Sequence, residues 1–170
     1  MRGVFWCSLA VTIVLYGMMG LWSMPLITQE ADGLLPFDLR PFGYGPAEAR
    51  AFLNALSDEG RAFYLDTQRL LDMVFPAALA VTLIALVRKV FWGLAVRLVL
   101  SIVALVGATA DYLENWSVAT MLRFEATVPP DSLINAASQW TMLKSGCDAA
   151  VMTALVLGFL AVVARRWMPL

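Results

Sequence analysis

Hydrophobic residues fall into four long runs along the chain. The first, residues 4–22, contains no charged residue, and a helix of that length is about 28 Å long, close to the hydrocarbon thickness of a bilayer. The other runs cover about residues 68–87, 98–122 and 140–164, and each is also long enough to cross a membrane. The pattern predicts an all-α fold, a transmembrane four-helix bundle that forms one membrane domain over residues 1–170.

Two segments outside these runs are predicted to lie on one side of the membrane, residues 23–67 and 123–139. The first holds several prolines and aromatic residues, which predicts a folded outer loop. Within it, Pro46 suits the first turn of a short helix. The apolar stripe of that helix consists of Phe52, Leu53 and Leu56. This stripe predicts an amphipathic helix on the membrane surface, and Ser57 is a predicted N-cap for a further helix that runs into the second hydrophobic run.

The basic residues indicate the orientation of the bundle. If both termini are cytoplasmic, the short inner segments hold basic residues and no acids. These basic residues are Arg2, Arg88, Lys89, Arg97, Arg165 and Arg166. Because short cytoplasmic segments are enriched in lysine and arginine, we expect a multi-pass protein of the bacterial inner membrane with cytoplasmic N- and C-termini.

Composition narrows the possible functions. The chain is 61% hydrophobic and 15% charged with a net charge of -1, so it offers no basic surface for nucleic acid. It has no histidine, which excludes His-ligated metals, haem and Ser-His-Asp catalysis. Cys7 and Cys147 fall near opposite ends of their helices and are predicted to remain free. The expected partners are membrane lipids and a larger membrane protein complex, and no cofactor is predicted.

Four acidic residues lie within the hydrophobic runs at similar depth. Counted from the basic inner ends, Asp72, Asp111, Glu114 and Asp148 are each about 21 to 25 Å into the bilayer. A charge facing lipid costs roughly 2.5 to 3.5 kcal/mol at the membrane centre. We therefore expect these carboxylates to face the interior of the bundle and to approach one another.

Polar neighbours at helical spacing extend this group. Asn115 shares a helix face with Asp111, Gln68 with Asp72, and Lys144 with Asp148. Arg69 and Lys144 are the candidates to neutralise carboxylates, with Lys144 expected to bond Asp148 or Asp111, and Tyr112 is a further candidate. The predicted polar cluster comprises Asp72, Asp111, Glu114, Asn115, Lys144, Asp148, Gln68, Arg69 and Tyr112.

Three functions are compatible with such a cluster. In the preferred interpretation, the cluster fastens the helices of an accessory or scaffolding subunit in a larger membrane complex. An enzyme is less favoured. Alternatively, it lines an outward-facing cavity for a lipid or small solute, with the loop over residues 34–44 as a lid. In the third, carboxylates hold Mg²⁺ or Ca²⁺ in a membrane enzyme, although no particular metal site or catalytic residue is predicted.

Three stretches carry a resemblance to known sequences. They are Gly43-Tyr44-Gly45-Pro46-Ala47-Glu48-Ala49, Leu71-Asp72-Met73-Val74-Phe75-Pro76 and Asp111-Tyr112-Leu113-Glu114-Asn115. In these stretches the chain resembles a group of short bacterial four-helix integral membrane proteins of unassigned function. The resemblance implies the same topology and the same choice of polar residues, and it implies no activity.

Overall fold

The computed structural model describes residues 2–124 and 128–167, and helices are the only regular secondary structure in this part of the chain. The α-helices are α1 (Arg2–Met18), α2 (Met24–Gln29), α3 (Pro46–Ala55), α4 (Asp58–Phe63), α5 (Arg69–Val90), α6 (Leu94–Leu122) and α7 (Asp131–Trp167). Five-residue π-helical segments, Met19–Ser23 and Tyr64–Gln68, join α1 to α2 and α4 to α5 without a break. A 3₁₀ turn, Phe37–Leu39, lies between α2 and α3.

Four continuous helices are long and apolar enough to cross a membrane, which indicates a multi-pass membrane protein. They cover Gly3–Gln29, Asp58–Val90, Leu94–Leu122 and Asp131–Ala164. The all-α prediction is therefore confirmed, although three of the helices extend well past the predicted ends. The reason is local. Pro25 lies in the first turn of α2, where it does not interrupt the helix, and Ser57 Oγ accepts the Gly60 N–H as the predicted N-cap.

The helices pack as a bundle in which α5, α6 and α7 contact one another and α1 contacts α5. Only three residues separate α5 from α6. Arg97 stabilises this tight connection by donating to the backbone carbonyls of Phe91 and Arg88 at the end of α5. Gly107 allows close packing of α6 on α7, because a Cβ there would lie 3.0 Å from the Cβ of Cys147. Both cysteines are free, as predicted.

The segment between α2 and α4 folds over one end of the bundle, which we call the loop-side end. Its apolar side chains form a core with the ends of α6 and α7, and Phe37 and Phe52 are fully buried there. The predicted stripe of α3 is thus packed against protein. The stripe therefore does not face lipid, because the ends of the long helices offer it an apolar partner within the same chain.

A second apolar core lies at the opposite end of the bundle, where Leu83, Val87, Ala104 and Val151 pack together. Buried polar side chains occur between the two cores. They include Gln68, Asp72, Asp111, Glu114 and Thr141. The polar groups therefore lie in a layer covered by the folded loop segment.

Gly60 permits the close approach of α4 to the end of α2. A Cβ at Gly60 would lie 2.5 Å from Glu30 Cβ and 2.9 Å from Leu56 Cδ1, whereas a Cβ at Gly146 would meet nothing within 4 Å. We expect Gly60→Ala to lower the free energy of unfolding by about 1 to 3 kcal/mol, as overpacking does. Gly146→Ala should cause no loss. Thermal unfolding in detergent measures both, and equal midpoints for the two variants would contradict the packing at Gly60.

Candidate functional site

The ammonium group of Lys144 lies among three carboxylates inside the bundle. Lys144 Nζ is 3.0 Å from Asp38 Oδ1 and 3.0 Å from Asp111 Oδ1, and it also pairs with Glu114 Oε2. All four side chains are at most 12% exposed. A buried charge is strongly destabilising unless it is paired, and here one lysine serves three acids. We call these four residues the Lys144 cluster.

Lys144 reaches this position because side chains on a helix lean toward its N-terminus. The ammonium therefore lies near Thr141, whose hydroxyl donates to Glu114 Oε1 at 2.6 Å. Asp148 lies one helical turn from Lys144 in the opposite direction, toward the C-terminus of α7. The expected contact of Lys144 with Asp111 is confirmed. Asp148, in contrast, forms no ion pair among the described residues. It lies beside Gly107 and lines a small crevice together with Asp111.

Asp38 is the member of the cluster that the sequence analysis missed. It belongs to the 3₁₀ turn of the folded loop, and its Oδ2 accepts a hydrogen bond of 2.8 Å from the Tyr64 hydroxyl. Burial alone would raise the pKa of Asp38. The Lys144 ammonium and the Tyr64 hydroxyl outweigh burial, and the pKa lies below its usual value of 3.8. Asp38 thus joins the loop to the bundle as a carboxylate.

Tyr44 brings a second loop side chain to the same place. Its backbone N–H donates to Ser138 Oγ of α7 at 2.9 Å, and its buried hydroxyl has no hydrogen-bond partner among the described residues. Burial, together with the nearby Glu114 carboxylate, raises the pKa of Tyr44. The loop approaches α7 closely here because Gly43 has a φ of 84°, and a Cβ on Gly43 would lie 2.7 Å from Ser138 Oγ.

Gln68 and Asp72 form a second polar group beside the two π-helical segments. Gln68 Nε2 donates to Asp72 Oδ1 at 2.7 Å, and Ser23 Oγ donates to Gln68 Oε1 at 2.5 Å. Ser23 and Gln68 each end a π-helical segment, so the two irregular turns meet through this bond. Arg69 was expected to neutralise a carboxylate. It is instead exposed and forms no ion pair with another described residue.

Asn115 links this second group to the Lys144 cluster. Pro76 has no N–H, so α5 lacks the helical bond that would satisfy the carbonyl of Asp72. Asn115 Nδ2 lies 3.4 Å from that carbonyl and 3.3 Å from Asp111 Oδ1. A single amide therefore compensates for the proline and connects the two polar groups. Pro76 and Asn115 should be energetically coupled for this reason.

A double-mutant cycle on Pro76 and Asn115 tests that coupling. Asn115→Leu should destabilise the wild-type bundle by about 0.6 to 1.7 kcal/mol, the range of interhelical hydrogen bonds in membranes. In a Pro76→Ala background the new N–H binds the Asp72 carbonyl, and the same substitution should cost less. The measurement is the free energy of unfolding of the four proteins, and strictly additive effects would contradict the role given to Asn115.

Tyr112 does not belong to the polar interior. It is 41% exposed, and its hydroxyl donates at 2.9 Å to the backbone carbonyl of Met73 on the neighbouring helix. The tyrosine thus bridges the outer surfaces of α5 and α6. Of the acids in the prediction, Asp72, Asp111 and Glu114 are buried in the bundle as expected.

The Lys144 cluster has the ligand types of a site for a hard cation. Asp38, Asp111 and Glu114 each offer a carboxylate oxygen, and these oxygens lie within 4.8 Å of one another. Carboxylate oxygens are a ligand type that Mg²⁺ and Ca²⁺ prefer. The Lys144 ammonium lies in contact with the same three side chains and supplies a positive charge there. The chemistry available to the cluster is therefore pairing of an internal cation, or its exchange for another.

The set of acids that could act together differs from the predicted one. Asp38 joins Asp111 and Glu114, while Asp72 is held by Gln68, and Asp148 is not one of the converging carboxylates. The function of this group has to be argued from its own geometry. No protein-family model, curated protein or solved structure matches the chain.

Proposed function

We propose that this chain is a structural membrane protein, an accessory or scaffolding subunit of a larger complex in the bacterial inner membrane. In this proposal the polar layer fixes the folded loop on the bundle, and the exposed faces of the long helices bind the partner subunit. Both termini lie in the cytoplasm, because the short segments on that side hold basic residues and no acids. A reporter fused to the C-terminus tests this orientation, and a periplasmic signal would exclude it.

The observation that carries the proposal is the pairing of one buried lysine with acids of the folded loop and of α6. Lys144 pairs with three carboxylates, and Gln68 holds Asp72. The crevice beside Asp72 and Asn115 has room for about one water molecule. A solute-binding protein with the loop as its lid needs a much larger pocket open to the outside.

The first helix offers apolar surface to a partner, because it packs mainly on α5. Its exposed large side chains include Val4, Trp6, Ile13, Val14, Tyr16 and Leu21. Such an apolar face is stable in contact with lipid, and it also suits van der Waals packing against another membrane helix. We place the docking surface of the proposed subunit on this face.

Site-specific photo-crosslinking in the native membrane tests the proposal. A photoreactive amino acid replaces Ile13, which is 62% exposed, or its neighbour Thr12, which is buried against Thr82. We expect a discrete protein adduct from position 13 and none from position 12. The same adduct should persist in a complex purified under mild detergent. Adducts with lipid alone, and a protein that purifies without partners, would exclude a subunit role.

Metal-dependent chemistry is a second candidate because three carboxylate oxygens converge within 4.8 Å. A metal ion would have to displace the Lys144 ammonium from the same side chains. Calorimetric titration of the purified protein with Mg²⁺ and with Ca²⁺ tests this possibility. Saturable binding that is lost in Glu114→Gln would favour the metal site over the structural role, whereas no binding by the wild-type protein would exclude it.

A further inference from the structure

A crevice opens sideways between α5 and α6 at the loop-side end of the bundle. Its lining includes Leu65, Arg69, Asp72, Asn115, Ala119 and Leu122. We call it the lateral crevice. It lies outside the Lys144 cluster. Farther from the loop-side end, the hydrogen bond from the Tyr112 hydroxyl to the Met73 carbonyl joins α6 to α5.

Two acceptor atoms of the lateral crevice have no hydrogen-bond donor among the described residues. Gln68 donates only to Oδ1 of Asp72, so Asp72 Oδ2 accepts no hydrogen bond from another described residue. The amide of Asn115 donates through Nδ2, and its Oδ1 likewise accepts none. At the mouth, Arg69 is exposed and donates to no acceptor in that part of the chain. The crevice thus presents acceptors inside and a cation at its entrance.

The depth of the crevice corresponds to the lipid headgroups. Arg69 is about 31 Å along the helix from Val90, and Asn115 is about 31 Å from Leu94, both close to the hydrocarbon thickness of a bilayer. Lipid phosphates are available at this level, and Arg69 matches a phosphate in charge and hydrogen bonding. Asp72 lies one turn deeper and matches a positively charged group.

We propose that the lateral crevice binds a phospholipid whose headgroup carries a primary ammonium next to the phosphate. The ammonium enters the crevice and donates to Asp72 and Asn115, while the phosphate pairs with Arg69. The space holds about one water molecule. An unsubstituted ammonium is of that size, and a trimethylammonium group is much larger, so the crevice selects ethanolamine over choline headgroups.

Lipid retention by the wild-type protein tests the proposal without any substitution. The protein is reconstituted in nanodiscs of equimolar phosphatidylethanolamine, phosphatidylcholine and phosphatidylglycerol, and the lipids retained after release are measured by native mass spectrometry. We expect phosphatidylethanolamine to exceed phosphatidylcholine by about fivefold, the effect of one ion pair near a membrane surface. Successive N-methylation of the ethanolamine should reduce the enrichment stepwise. Retention at the bulk ratio would overturn the proposal.

Three variants identify the side chains responsible. Arg69→Gln and Asp72→Asn should each bring the retained lipids close to the bulk ratio. Asp66→Asn, an exposed position outside the lining, should leave the enrichment unchanged. Enrichment that persists in both crevice variants would overturn the assignment. Equal retention of phosphatidylglycerol and phosphatidylethanolamine by the wild-type protein would also overturn it, because the ammonium would then not be recognised.

Discussion

Lys144→Met is expected to lower the free energy of unfolding by about 3 to 5 kcal/mol, the cost of removing one partner from a buried ionic group. The substitution preserves the apolar stem of the side chain and removes its ammonium. Asp38, Asp111 and Glu114 then lose the cation that contacts all three of them. Chemical unfolding in detergent micelles, followed by tryptophan fluorescence, measures the change.

Lys89→Met is the matched control, because Lys89 is the other lysine of the chain and is exposed. Its ammonium lies over the ring of Phe5, a contact worth about 0.5 to 1 kcal/mol at an exposed site. Adding Glu114→Gln to Lys144→Met should restore part of the lost stability, since one unpaired carboxylate is removed. Similar losses for the two lysine variants, or no rescue by the second substitution, would contradict a cluster centred on Lys144.

The four long helices were predictable because their signal is local. The lipid bilayer is the low-energy environment of a run of residues without charge, such as residues 4–22. The length of the run determines whether its helix can cross the bilayer. Helix ends were less predictable. Pro25 is compatible with either a helix stop or the first turn of a continuing helix, and spacing alone does not decide between them. Ser57 was predicted correctly as the N-cap of a helix that continues into the second run.

The inward orientation of Asp72, Asp111 and Glu114 was also predictable, because lipid penalises a charge on any outward face. The side chain that pairs with each acid was not predictable. Lys144 and Asp148 share a helix face, and spacing alone cannot tell which of several acids the flexible lysine reaches. The tilt of side chains toward the helix N-terminus would have favoured Glu114 over Asp148.

Asp38 was missed because its role depends on the tertiary position of a loop. One signal in the sequence pointed toward it: the acid follows Leu34, Leu35, Pro36 and Phe37, an apolar stretch that tends to be buried. A buried acid needs a partner. Locating that partner requires the path of the chain between α2 and α3, and the hydrophobic pattern carries no information about this path.

Asp38→Asn is expected to weaken the attachment of the loop to the bundle at neutral pH. It removes the charge that faces Lys144, and a hydrogen bond to a charged group contributes about 1.5 to 3 kcal/mol. Phe42, which is 93% exposed in the same loop, reports on the attachment. Cleavage after Phe42 by chymotrypsin should become faster in the variant. Asp32→Asn, at an exposed loop position whose positive φ asparagine also tolerates, should leave the cleavage rate unchanged.

The pH dependence of this difference follows from the lowered pKa of Asp38. Its folded-state pKa lies below the usual value of 3.8 because Lys144 and Tyr64 stabilise the carboxylate against the effect of burial. The stabilisation is therefore fully present above about pH 4 to 5 and is lost as the pH falls through the folded-state pKa. We expect the wild-type protein to be more stable than Asp38→Asn by a constant amount between neutrality and about pH 5, and the difference to shrink at lower pH. Unfolding free energies of both proteins at a series of pH values measure it. A difference that grows on acidification would mean that Asp38 is protonated in the folded protein and that the loop is held by other contacts.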